Sequence, residues 1–419
     1  MKKAVRRDDI RSYMKSIGNA DIIVGIPSYN NASTIGHVVR AVQAGFAKYF
    51  PEKKAVLVNS DGGSTDGTMD IVHDATIENL QSILLSHKVN PFIKIATPYH
   101  GIPGKGSAFR RIFEIADSLG VKACAVVDSD LRSITPEWIE LLIKPVLEGK
   151  FDYVAPLYQR HKYDGTITNS IVYPLTRALY GKRVRQPIGG DFGFSGRLAK
   201  FYLSQDVWET DVARYGIDIW MTTTAIANDF KVCQSYLGAK IHDPKDPGAD
   251  LSAMLYQVAG STFDLMDTYA SVWRGINDSQ SVPTFGFHYD VGLEPVTVNL
   301  ERMIDRFCLG VQELGFVWKD VLPRSLFEFF ADLTDLSQKD FAIPDEAWVD
   351  TIYSFALATH KKTLNREHLL RSLTPLYIGR VASFVMETRD SSSNEVEEKI
   401  ETLCEIFENK KKTLLNDWG

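Results

Sequence analysis

The sequence predicts an α/β domain on a mostly parallel sheet, residues 1–248, followed by an all-α domain, residues 249–419. Two observations carry this division. Over the first 245 residues, short apolar runs alternate with amphipathic stretches, the pattern of buried strands joined by helical crossovers. Beyond about Pro247, strand-like runs are scarce and apolar residues recur at steps of three and four.

Ile22-Ile23-Val24-Gly25-Ile26-Pro27 is the first strand, a mostly β-branched run closed by proline and polar turn residues. Ile35, Val38, Val39, Val42 and Phe46 then share one face of a helix from about Thr34 to Phe46. Ala55 to Asn59 is a second strand, ended by Ser60-Asp61-Gly62-Gly63-Ser64, and a helix follows from about Thr65 to Ala75. Phe92 to Ala96 and Ala123 to Val127 repeat the strand pattern, with a helix from about Ser107 to Leu119 between them. Thr135 before Pro136-Glu137 reads as a helix start. In the second half, Leu251, Met254, Leu255 and Val258 open one helix, and Met303, Phe307, Val311 and Leu314 mark another. Trp348, Ile352, Phe355 and Ala358 mark a third, Leu369, Leu373 and Leu376 a fourth. Val396, Ile400, Leu403 and Ile406 give a last charged helix, Glu395 to Leu415, its apolar stripe; Asp390 to Asn394 is the expected flexible loop before it.

Composition narrows the function. The chain carries 47 Lys+Arg against 53 Asp+Glu, a net charge of -6, which argues against nucleic-acid binding by phosphate neutralisation. No run of about 18 uncharged apolar residues is present, so a membrane-spanning helix is not expected. The basic stretch Met1 to Asp9 lacks the apolar run of a secretory signal. Cys124, Cys233, Cys308 and Cys404 lie far apart, which predicts reduced thiols, at most one or two of them in cores. A cytoplasmic protein acting on small charged molecules is the expectation.

The most informative segment is Asp128-Ser129-Asp130. Two carboxylates that leave a buried strand together repel each other unless a cation is near, and a hard divalent ion completed by substrate phosphates suits them. A polar strand-end turn explains the same residues without chemistry. Asp61, also after a strand, has the acceptor oxygens for a base or a ribose, or serves a plain turn. Lys105, between Gly104 and Gly106 at a helix start, suits a phosphate, although the nucleoside-triphosphatase loop spacing is absent. Gln186-Pro187-Ile188-Gly189-Gly190-Asp191 offers backbone amides and a carboxylate, and Asp218 opens an apolar helix where capping alone would account for it. His242 taken by itself is an ordinary packed or surface histidine.

Together, in this order along the chain, these pieces resemble the GT-A glycosyltransferases over about residues 20–250. More closely they resemble the retaining enzymes that make mannosylglycerate, glucosylglycerate and glucosyl-3-phosphoglycerate. The resemblance implies a Rossmann-like nucleotide-sugar domain with Pro27, Tyr29, Asn31 and Asp61 around the nucleoside and Lys105 on the nucleotide. It implies that Asp128, Ser129 and Asp130 hold the donor, with Asp128, Asp130 and His242 as ligands of Mg²⁺ or Mn²⁺ and Lys245 against the diphosphate. Asp218, Lys105 and Asp130 would be the catalytic groups. Arg160, Asp164, Thr168, Gly189 and Gly190 would bind the acceptor. The chain departs from the family at Asn31, where an acid is usual, and after His242, where Asp243-Pro244-Lys245 replaces an Asn/Arg-rich stretch.

The implied reaction moves glucose or mannose from a UDP- or GDP-sugar to D-glycerate, making a compatible solute or its precursor. The acceptor alternatives are 3-phosphoglycerate and a polyprenyl phosphate. A nucleotidyltransferase is disfavoured because Pro27-Ser28-Tyr29-Asn30-Asn31 stands where a Gly-rich, basic loop would follow the first strand. A non-catalytic sugar-nucleotide binder is the third class. The helical half either covers the acceptor or forms a homodimer.

Overall fold

The computed structural model describes residues 14–75, 92–99, 101–241, 251–289 and 296–419. The chain divides into two compact units. Met1–Gln159, Gln186–Asp243 and Val282–Gly292 form the first; Arg160–Arg185, Pro244–Ser281 and Leu293–Gly419 form the second. The division is thus discontinuous: Arg160–Arg185 joins the helical unit, and Val282–Gly292 returns to the sheet unit.

The strands are β1 (Ile22–Ser28), β2 (Ala55–Asp61), β3 (Ile93–Pro98), β4 (Ala123–Val126), β5 (Tyr153–Gln159), β6 (Lys182–Arg183), β7 (Phe192–Ser195), β8 (Val232–Ala239), β9 (Gln280–Ser281) and β10 (Thr284–Phe285). Eight of them make the sheet of the first unit, in the order β10-β8-β5-β7-β4-β1-β2-β3. All pairings are parallel except those of β7, which runs antiparallel to both β4 and β5. Every residue of β1 and β2 is buried, as the apolar runs require of strands covered on both faces. Alternation sorts them: Ile22, Val24 and Ile26 share a core with Val38, Val42 and Phe46 of helix Ile35–Tyr49 and with Trp138, Ile139 and Leu142 of helix Pro136–Leu147. Gly25, on the other face, lies against Ile112 of helix Lys105–Ser118. Register sets Ser28 beside Asp61 and Gly25 beside Val126, so β1, β2 and β4 release their chains at one sheet edge. Ligands of open α/β sheets bind at that kind of edge.

The second unit is helical apart from the two-residue pair β6–β9. Its long helices are Ser252–Thr268, Leu300–Val321, Asp345–His360, Arg366–Glu387 and Ser393–Trp418. The stretch expected as a flexible loop contains Ser392, whose hydroxyl and Glu395 build a capping box that starts the last helix. Buried Arg177 holds Arg160–Arg185 to that helix, its Nε 2.8 Å from Glu408 Oε1 and its Nη1 on Glu401. Arg185 adds a two-pronged pair to Glu397, at 2.9 and 2.8 Å. No cysteine is paired, and three rather than one or two are buried: Cys124, Cys233 and Cys404. Among the described residues no helix is long and apolar enough to cross a membrane.

Candidate active site

Five ionisable side chains of the first unit converge past the ends of its strands. Lys105 Nζ lies 2.8 Å from Asp128 Oδ1 and 3.3 Å from both carboxylate oxygens of Asp218. Lys240 Nζ, on the residue after β8, donates at 2.8 Å to each of Asp128 Oδ2, Asp191 Oδ2 and the Gly189 carbonyl. The Asp128 backbone N–H donates to Asp191 Oδ1 at 2.7 Å, and the Tyr158 hydroxyl donates to Asp191 Oδ2. Asp191 is fully buried and the Lys240 side chain is 4% exposed, so this pair forms the floor of the site.

Two glycines make the convergence sterically feasible. A Cβ on Gly106 would lie 1.9 Å from the Val212 carbonyl oxygen, so only glycine lets the start of helix Lys105–Ser118 pack on the backbone at 212–213. The Gly-Lys-Gly sequence therefore serves packing, and Lys105 itself reaches the carboxylates. Gly190, at φ +89°, would place a Cβ 2.2 Å from Asp128 Oδ2. Its role in the fold is to leave room for Asp128, and Gly189 presents its carbonyl to Lys240.

Charge is unevenly stabilised. Burial alone would raise the Asp128 carboxyl, but the ammonium groups of Lys105 and Lys240 outweigh it and hold Asp128 well below the usual carboxylate range. Burial pushes Asp218 above its ordinary value; Lys105 opposes the rise and the Asp128 charge adds to it. Asp191 is raised by burial too, against the pull of Lys240. A carboxyl with a raised folded-state value binds its proton more tightly in the fold than in the unfolded chain. Its stability contribution is complete below the ordinary carboxylate value and is lost as pH rises through the raised one. Asp218→Asn removes that loss. The substituted protein is expected to melt above the parent at about pH 8, with the gap closing towards about pH 4. A gap that widens on acidification in thermal unfolding would contradict the assignment.

Around this cluster the strand-end turns are laced together. Asn31 Oδ1 accepts from the Tyr29 N–H at 2.9 Å and from the Ser129 hydroxyl at 2.8 Å. Thr34 Oγ1 donates to the Ser129 carbonyl at 2.8 Å. Asn31 and Ser129, expected on the nucleotide, thus fix the Asp128–Asp130 turn to the β1 turn. Asp61 differs from expectation more sharply: it is buried, and its oxygens accept from the Gly63 and Ser64 N–H groups and the Ser28 and Ser64 hydroxyls at 2.7–2.9 Å. Four donors use the carboxylate's acceptor capacity, so Asp61 holds the turn that follows β2. Pro27 is buried within β1. Tyr29 is 64% exposed beside Gly62, with the Tyr99 hydroxyl also against Gly62.

Asp130 is the exception in this network. It is half-buried, and among the described residues it has no hydrogen-bond or ion-pair partner. An uncommitted carboxylate two residues from Asp128 fits a hard divalent ion, whereas both Asp128 oxygens are already taken by lysines. No group of three His, Cys, Asp or Glu side chains gathers for a metal among the described residues. His242 and Lys245 lie outside them.

Residues 23–208 match the sequence profile of the family described as Glycosyl transferase family 2. No curated protein sequence matches the chain. Among solved structures, the chain is similar to glucosyl-3-phosphoglycerate synthase from Mycobacterium tuberculosis in complex with Mg²⁺ and UDP. Identity is 18%, coverage 62% of this chain and 83% of that one, and the TM-score 0.42. The same synthase with Mn²⁺, UDP-glucose and phosphoglyceric acid gives 18%, 64%, 86% and 0.42. A further mycobacterial protein gives 19%, 62%, 77% and 0.43.

The floor of the site is not legible in the sequence. The Asp191 carboxylate belongs to a segment that reads as a loop, and the one local signal for Lys240 is a lysine closing the buried run Val232–Ala239. Arg160, Asp164 and Thr168 belong to the second unit, where they gather around Gly165. Arg160 Nη1 is 3.6 Å from Asp164 Oδ2. A Cβ built on Gly165 would meet Arg160 Nη1 at 3.4 Å and Thr168 Oγ1 at 3.8 Å.

Proposed function

We propose that the protein transfers a hexose, glucose or mannose, from a UDP- or GDP-sugar to a glycerate-type acceptor. The observation that carries this is the strand-end cluster of the glycosyltransferase domain: Asp128 held ionised between two lysines, beside an uncommitted Asp130. Asp128, rigidly oriented, is an acceptor for hydroxyls of the donor sugar. Lys105 supplies a fixed ammonium next to the negative charge that grows on the departing diphosphate. Asp130, with His242, would hold Mg²⁺ or Mn²⁺, which when bound neutralises that diphosphate. An acceptor hydroxyl oxygen bonds to the anomeric carbon as the sugar–phosphate bond breaks. The hydroxyl attacks from the face the diphosphate leaves, the electron pair of the broken bond goes with the diphosphate, and the diphosphate takes the hydroxyl proton on that same face, so configuration is retained without a protein nucleophile.

Arg160, with its planar fork, and Asp164 and Thr168 suit a carboxylate and neighbouring hydroxyls of the acceptor. Tyr29, exposed beside Gly62, offers its ring to the base. The synthase to which the chain is similar has been solved with phosphoglyceric acid. 3-Phosphoglycerate therefore heads the acceptor panel, ahead of the D-glycerate that the sequence reading put first.

The test is a panel of UDP- and GDP-sugars, each with Mg²⁺ or Mn²⁺ and with 3-phosphoglycerate or D-glycerate, read by mass spectrometry. A hexosylated product is expected with one acceptor, formed with retention at the anomeric carbon. Donor binding without product on either acceptor would overturn the acceptor class. No binding of any sugar nucleotide would overturn the activity.

A further inference from the structure

In the second unit, Lys162 lies midway between Arg160 and Asp164 in sequence, and its ammonium is saturated by backbone alone. It donates to the carbonyls of Thr388, Arg389 and Ser391 at 2.7, 2.8 and 2.9 Å. These carbonyls belong to the turn that ends helix Arg366–Glu387, where the last acceptors have no partners within the helix and the dipole is negative. Neighbouring residues tie the same segment to the same helix. The Tyr163 hydroxyl donates to the Val385 carbonyl at 3.3 Å, and the Thr166 hydroxyl pairs with the Tyr377 hydroxyl. Trp348 Nε1 donates to the Ser170 carbonyl at 2.8 Å, in the π-helical turn Thr168–Val172 that follows. Such turns are concentrated at functional sites.

Within the segment, the Asp164 N–H donates to the His161 carbonyl at 2.8 Å and the chain passes through Gly165 at φ +69°. Tyr163, Thr166 and Thr168 are buried, so the Lys162 tie acts together with their packing. Of the three carbonyls, the one on buried Thr388 also accepts from the Ser391 N–H at 3.1 Å, and Arg389 and Ser391 are exposed and half-exposed, so acceptors of the helix end keep a partner or water once the ammonium is gone.

We propose that Lys162 is a positioning residue: it pins the Arg160–Thr168 segment to the C-terminal helices and thereby sets affinity for the acceptor. The inference rests on the reading that Arg160, Asp164 and Thr168 bind the acceptor.

Steady-state kinetics with UDP-glucose and 3-phosphoglycerate, each varied in turn, test it. Lys162→Met is expected to raise the acceptor KM about tenfold or more, because a small misplacement of binding groups is costly. The donor KM should stay within about twofold, since no donor contact is touched. Lys162→Arg, which keeps the charge and the donors, should recover most of the loss. Arg160→Ala separates the two levels of the argument. An acceptor KM that rises in Arg160→Ala but not in Lys162→Met overturns the positioning role alone. No rise in Arg160→Ala overturns the acceptor reading and this inference with it. Donor and acceptor KM rising together, with a lowered Tm, would mark Lys162 as merely structural and overturn the proposal. Should Lys162→Met not fold, Tyr163→Phe, which removes the tie to Val385, takes its place under the same criteria.

Discussion

Asp130→Ala is expected to lower hexose transfer by about 10²–10³-fold or more while leaving the melting temperature nearly unchanged. The two halves of this expectation have separate causes. Asp130 is half-buried and makes no hydrogen bond or ion pair among the described residues, so its removal strips no partner from the fold. Its carboxylate oxygens, uncommitted among the described residues, suit a cation and, through it, a diphosphate. Turnover measured with saturating Mn²⁺, beside thermal unfolding of the same preparations, checks both halves. Transfer kept within about tenfold would remove Asp130 from the donor site, because a group of this kind contributes more than that. A large fall in Tm would show instead that it holds the turn.

Lys240→Met should do the opposite, damaging the fold first. The Lys240 ammonium sits among three acceptors at 2.8 Å, two of them the carboxylates of Asp128 and Asp191. Removing the cation leaves Asp191 buried with its charge uncompensated, for which breaking a buried pair costs about 3–5 kcal/mol. In a unit of this size that corresponds to a fall in Tm of roughly 2–4 °C for each kcal/mol. The second substitution is diagnostic. Adding Asp191→Asn to Lys240→Met removes the stranded charge and should restore part of the loss, since replacing both partners is far less costly than removing one. A double variant as unstable as the single one would mean that the loss is packing of the lysine stem, not charge. Activity should stay low in both, because Asp128 loses one of the two ammonium groups that keep it ionised and oriented.

Much of the α/β unit was legible because strand and helix burial are local patterns. The run from Ile22 to Pro27 and the helix face Ile35, Val38, Val42 and Phe46 fell within a few residues of the observed β1 and helix Ile35–Tyr49. Strands β5, β7 and β8 were harder. β7 is only four residues, and Gln234 and Ser235 interrupt the apolar run of β8. The discontinuity of the units was not legible either, since Arg160–Arg185 joins the helical unit through Arg177 and Arg185 pairs reaching glutamates more than 200 residues away. In the site, the order of motifs along the chain pointed to Lys105, Asp128 and Asp218, which the fold brings together. The same order pointed to Asp61 as a ligand group, which the fold spends on its own turn.

The sequence by itself determined which residues lie at the ends of buried strands: Asp61, Asp128 and Asp130, each placed by an apolar run just before it. What each carboxylate does there was decided only by the tertiary structure. Asp128 is clamped by Lys105 and by Lys240, 112 residues away, and its N–H is held by Asp191, 63 residues away and just before the strand that enters antiparallel. Asp130, two residues along, meets none of them. Burial periodicity is written into neighbouring residues and can be read from them. The partner of a buried charge depends on which distant strand lies alongside, and no local pattern encodes that.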